Sequence, residues 1–167
     1  MDILEADSES DVNDDEVNTF QAASGQERWT QMSMVMDSGS ADPVMSAKVA
    51  PGIPIRSSAG SRRGQRYSAA NGRKIENEGE QHLSLFTSDG LPAPMTVQIA
   101  DVKRPLCSVA RLCDRGNRVV FDARGGAVQN LRTGVVTKFR REGGIYMLDL
   151  WLDQKSEGRS PGFTRRG

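Results

Sequence analysis

Asp37, Ser38 and Gly39 are the residues of this chain best placed to do chemistry, because they follow the apolar run Met34-Val35-Met36 without interruption. A buried strand fixes whatever stands at its end. Gly39 lets the backbone turn sharply and brings N–H groups up to the Asp37 carboxylate. The Ser38 hydroxyl can hydrogen-bond across to a neighbouring loop. A carboxylate held in this way can take or give a proton as a general base or acid. The same tripeptide is also ordinary turn chemistry. Two readings of Asp37 therefore stand side by side, a catalytic group and a structural turn, and the residues that follow bear on the choice.

Other reactive groups are few. His82 stands alone in an alternating segment and reads as a surface or structural residue. Cys107 and Cys113 are the only cysteines. Their spacing is not a zinc pattern, they are expected as small core residues, and no metal site is expected. Two cysteines do not make a disulfide framework, and the acidic N-terminus shows no apolar signal region. An intracellular setting, cytoplasmic or nuclear, is the expectation. No apolar run approaches the length of a membrane span, so no membrane partner is expected.

Net charge is zero, yet the charges are unevenly placed. Residues 1–28 carry nine acids against one base, Arg28, while the remainder carries 13 acids against 21 bases, a net of +8. The first stretch reads as an acidic disordered segment, either a solubilising tail or one that meets a partner. The Arg62-Arg63 and Arg140-Arg141 pairs suit phosphate, but with only Tyr67 near the first pair they read chiefly as solvated surface. A basic nucleic-acid-associated fragment is kept as an alternative.

Positioning Asp37 calls for strands. Residues 29–36 alternate, with Thr30, Met32, Met34 and Met36 on one side and Trp29 and Val35 on the other. Residues 41–55 contain Pro43, Pro51 and Pro54 and read as loop or short extended pieces; residues 57–66, rich in Ser, Gly and Arg, read as mobile. Asn71-Gly72 predicts a hairpin with a two-residue turn, flanked by Tyr67-Ser68-Ala69-Ala70 and Arg73-Lys74-Ile75-Glu76. Gly79 marks a bulge or a close backbone approach. Strands are predicted over 82–87, 95–102, 118–121, 127–131, 135–139 and 145–152. One short helix is predicted over 106–116, capped by Ser108 and stopped by Gly116. The expected core is Met34, Met36, Ile75, Leu85, Val97, Ile99, Leu106, Val109, Leu112, Val119, Phe121, Tyr146 and Leu148. The sum is an all-β domain over residues 29–153 with a disordered basic tail at 154–167.

The order of these pieces resembles the retropepsin-like (retroviral-type) aspartic protease family, most closely the version in copia-type retrotransposon polyproteins. Met34-Val35-Met36-Asp37-Ser38-Gly39 is similar to the catalytic loop. Tyr67 through Ile75, with the return to Gly79, looks like the flap hairpin. Val97 to Val102, then Pro105-Leu106-Cys107-Ser108-Val109, then Gly116 to Phe121 is similar to the late stretch of strand, Leu-Leu-Ser-Val turn, helix and Gly-led strand. Gly143-Gly144-Ile145-Tyr146-Met147-Leu148 resembles the Gly-Gly-Leu-Tyr-x-Leu segment between protease and integrase. Ser40 departs from the family's usual small residue after Asp-Ser/Thr-Gly, Ser108 stands where many members have Gly, and the flap has no apolar tip.

The resemblance implies a barrel of short strands and a homodimeric endopeptidase acting on a peptide or polyprotein. Each subunit would supply one Asp37, aided by Ser38 and Gly39, with Tyr67, Ala70, Asn71, Gly72 and Ser108 around the substrate. It implies no metal and no organic cofactor. A catalytically inactive protease-fold module that binds protein is the competing expectation.

Overall fold

The computed structural model describes residues 28–155. The acidic segment and the basic tail expected at the two ends lie outside the described residues, apart from residues 28, 154 and 155. The chain forms β1 (Trp29–Asp37), β2 (Val44–Met45), α1 (Ala59–Arg62), β3 (Arg66–Ser68), β4 (Lys74–Glu76), β5 (Gly79–Leu83), β6 (Leu85–Thr87) and β7 (Met95–Ile99). It continues with β8 (Leu106–Ser108), α2 (Val109–Asp114), β9 (Asn117–Phe121), β10 (Gly125–Asn130), β11 (Val136–Glu142) and β12 (Ile145–Asp153). The domain is mostly β.

Nine strands are hydrogen-bonded in the order β5-β7-β2-β8-β1-β12-β11-β10-β9, with β6 branching from β12, and β3-β4 form a separate hairpin. The path has two ends, β5 and β9. Strand β1 is its centre: it pairs antiparallel with β12 from Trp29↔Asp153 to Val35↔Met147, and parallel with β8. The period of two puts Met32, Met34 and Met36 into the main core with Leu85, Val97, Ile99, Leu148, Leu150 and Leu152. Val35 faces the other way and packs with Leu106 and Met147. No helix among the described residues is long and apolar enough to cross a membrane.

Several expectations need correcting. There are two short helices, not one. The additional one, α1, lies in the segment read as mobile. Ser58 and Ser61 exchange hydrogen bonds in a capping box, Ser61 N to Ser58 Oγ at 3.0 Å and Ser58 N to Ser61 Oγ at 2.9 Å. The proline-rich stretch 41–55 is also more than loop, since it contributes β2 and the buried residues Ala50 and Ile53. The segment 82–87 breaks at Ser84 into β5, paired with β7, and β6, paired with β12.

The hairpin has a three-residue loop. Ala69 N donates to Arg73 O and Gly72 N to Ala69 O, both at 2.9 Å. Gly72 takes the left-handed conformation, φ +88°. In the core, Val109, Leu112, Val119 and Tyr146 are only half-buried and Phe121 is 39 % exposed. Among the described residues β9 has a strand on one side alone, so its side chains sit at the margin of the sheet. Gly79 does mark a close approach: its φ is +134°, and a Cβ there would lie 2.5 Å from Arg56 O.

Candidate active site

Asp37 ends β1 where that strand runs parallel to β8, in the register Val35↔Leu106, Met36↔Cys107, Asp37↔Ser108. Two apolar runs thus carry two polar residues side by side to one end of the sheet. Met36 and Cys107 are buried; Asp37 is half-buried, and Ser38 and Gly39 are exposed. Gly39 N donates to Asp37 Oδ1 at 2.8 Å, which fixes the carboxylate against its own loop. Gly39 has no left-handed φ, and a Cβ at this position would sit in ordinary contact, 3.5 Å from Oδ1. Within one chain it is therefore the N–H of Gly39, rather than its conformational freedom, that the loop uses.

Ser108 is 1 % exposed and its hydroxyl is fully engaged by the chain itself. Its Oγ donates to Ser40 O at 2.6 Å and accepts from Arg111 N at 3.1 Å. One hydroxyl thereby caps α2 and pins the loop after Asp37. Ser108, which the resemblance implies lies near substrate, thus turns its hydroxyl to the chain's own groups and holds the loop after Asp37. Ser40 Oγ donates in turn to Asp42 O at 2.5 Å, so the loop is stitched at consecutive points.

Asp42 is a junction that the sequence reading missed. One carboxylate oxygen pairs with the Arg111 guanidinium of α2, and the other accepts from the Tyr67 hydroxyl of β3 at 3.5 Å. Tyr67 is half-buried, and burial, followed by the nearby Asp42 charge, pushes its hydroxyl up to about 12. It therefore stays a neutral phenol and a donor. Asn77 is the other missed residue. Its amide donates to Tyr67 Oη (3.2 Å), Gln65 Oε1 (3.2 Å) and Gln98 Oε1 (2.9 Å), and its carbonyl accepts from Gly79 N (2.9 Å). At 6 % exposure it roots the hairpin in the sheet. The only sequence signals are an Asp before Pro43, an Arg three residues after a cap, and an Asn two residues before a conformationally special Gly.

The hairpin residues Ala70, Asn71 and Gly72 are exposed at its tip, while Tyr67 sits at its base. The structure thus joins Asp37, Ser108 and Tyr67 through Ser40 and Asp42, and leaves the tip reaching into solvent. Elsewhere, Cys107 is buried and burial pushes its thiol up to about 12, so it is inert. Cys113 is exposed, contrary to its expected place in the core. His82 is held by Thr96 Oγ1 at 2.8 Å and lies 3.6 Å from Glu80. No group of three or more metal-ligating side chains occurs among the described residues.

No family model, curated protein or solved structure matches this chain.

Proposed function

We propose that the chain is an aspartic endopeptidase of the retrotransposon type, acting on a polyprotein as a homodimer with one Asp37 from each subunit. The observation that carries this reading is the parallel pair β1–β8, which sets Asp37 beside a strand-to-helix turn whose Ser108 pins the Asp-Ser-Gly loop. On this reading the branched sheet corresponds to a retropepsin-like barrel and β3–β4 to the flap. At the two-fold axis two like charges side by side are costly, so the two carboxylates share one proton. The ionised one takes a proton from water as general base; the protonated one donates to the scissile carbonyl oxygen. Ser38 braces the two loops across the axis. The hairpin closes over an extended peptide and excludes water. The chemistry needs no metal or organic cofactor.

Asp37→Asn tests it. The amide keeps size and can still accept from Gly39 N, so the fold survives. Neither subunit then offers a carboxylate, and peptide cleavage falls by about 10³-fold or more. The parent's rate should depend on the square of protein concentration where dimers are scarce. An unchanged rate in Asp37→Asn, or a strict monomer with no cleavage at any pH, overturns the proposal. The polar, exposed hairpin tip favours one second reading, an inactive protease-fold module that holds peptides without cutting them; it is separated by peptide binding without turnover.

A further inference from the structure

A cavity of about 210 Å³ lies between the β3–β4 hairpin and the segment that leads into β8. The hairpin contributes Asn71, Arg73 and Ile75, and the segment contributes Asp101, Val102 and Lys103. Its floor is apolar and fixed: Ile75 and Val102 are buried together with Val44 and Ala100. Val44 is in register with Leu106, so that floor is continuous with the strand that carries Ser108 to Asp37.

The rim is rich in donors. Lys103 has no hydrogen-bond or ion-pair partner among the described residues. Arg73 reaches Asp101 at only 3.9 Å, with the two side chains 58 % and 75 % exposed, a pairing that contributes little and opens readily. Asn71 spends its carbonyl on Arg73 N and leaves its amide N–H groups available. Two cations and an amide thus surround an apolar floor, with one acid loosely engaged. The volume is below the ~300–1,000 Å³ of pockets that enclose drug-sized ligands. It suits one side chain with a short methylene stem and a charged end. Asp101 at the rim disfavours a doubly charged phosphate, while a singly charged carboxylate can exchange for it on Arg73.

We propose that this cavity recognises the carboxylate of an Asp or Glu side chain in a bound peptide, with Arg73 and Lys103 as the specificity-determining residues. The proposal rests on reading the hairpin as a lid over peptide, and not on turnover. It selects acidic peptide segments as the substrate class.

The test uses the full chain carrying Asp37→Asn, so that binding is read without cleavage. Fluorescein-labelled peptides that alternate Val with Glu, Gln or Lys are titrated by anisotropy. The Glu peptide should bind about tenfold more tightly than the Gln peptide, as expected for charge-assisted hydrogen bonds. Adding Arg73→Glu and Lys103→Glu together should reverse the order in favour of the Lys peptide. Arg118→Glu with Arg132→Glu makes the same change of net charge on exposed residues outside the cavity and should leave the preference intact. Equal binding of Glu and Gln peptides, or an equal loss in the control variant, overturns the proposal. In the parent chain, absence of cleavage beside an intact, cavity-dependent Glu preference refutes only the protease reading. Cleavage without a Glu preference refutes only the carboxylate site.

Discussion

The loop around Asp37 and the strands of the β9–β11 meander hold their backbones in place by different means. Around Asp37, fixation is polar and long-range: Ser108 reaches Ser40, Asp42 reaches Arg111 and Tyr67, and Asn77 gathers β3, β5 and β7. In the meander the side-chain hydrogen bonds gather at its turns, and between the strands fixation is steric. Gly125 and Gly126 let β10 lie against its neighbours, and a Cβ on Gly126 would stand 2.2 Å from Val120 O and 2.3 Å from the Phe139 ring. Beside them Phe121, Phe139 and Tyr146 meet edge to face, with centroids 5.0 to 6.1 Å apart. Directional bonds suit a site whose atoms must keep a set geometry. Packing of rings on glycine suits a sheet margin that needs only to stay folded.

The largest effect should come from breaking the steric region. Gly126→Val meets a backbone carbonyl that cannot move without splitting β9 from β10, and should cost about 3 kcal/mol or more. Urea denaturation measures it. A loss under 1 kcal/mol, as for a surface substitution, would show that the meander yields and that the contrast is false.

Next comes the polar region. Ser108→Ala takes a buried hydroxyl from half-buried Ser40 O and from Arg111 N at the start of α2, which should cost about 1.5 kcal/mol. The signature that separates it from Gly126→Val is functional. If the loop is catalytic, cleavage should fall more than the fraction folded does, because Asp37 sits in register with Ser108. Equal losses of both would reduce Ser108 to a stabilising cap. Tyr67→Phe should follow with about 1 kcal/mol, removing one hydroxyl that serves both Asp42 and Asn77. Amide exchange at the hairpin should rise in that variant and stay unchanged in β9–β11.

The same contrast explains what the chain reveals before folding. Periodicity in residues 29–36 and the cap at Ser108 are local signals, and a strand and a helix form there, although Leu106–Ser108, predicted as the start of the helix, is strand β8 and the helix itself is only Val109–Asp114. Asp42 and Arg111 acquire their roles only when the sheet brings residues 25 or 69 positions apart into contact, and Asn77 when it meets partners 10 to 21 positions away. No local pattern carries such pairings. Gly125 and Gly126 resemble loop residues by composition, which places the predicted strand two residues late; only the packed neighbours show why side chains are excluded there. Phe121 and Val119 alternate as core residues do, yet period alone does not show that β9 has a single neighbour.

The smallest expected effect lies where the two regions meet, on β1, β11 and β12. Arg140 of β11 donates to Asp149 of β12 at 2.7 Å, and Ser33 of β1 donates to the same carboxylate at 2.5 Å. Burial raises the Asp149 carboxyl, but the hydrogen bonds from Arg140 and Ser33 outweigh it and hold the group below the ordinary carboxylate range. A carboxyl depressed in the folded state contributes stability that is fully present above its unfolded value, about 3.9. That stability fades as pH falls through the lower folded value. Arg140→Gln removes the charge, and with Arg140 44 % exposed the loss near neutral pH should be only about 0.5 kcal/mol. Denaturation curves of parent and variant should separate near neutral pH and converge in acid, once the pH lies below the depressed folded value and the carboxyl is protonated in both states. A gap that persists in acid would mean that Arg140 acts there through packing of its stem rather than charge, and would move this seam into the steric class represented by Gly126.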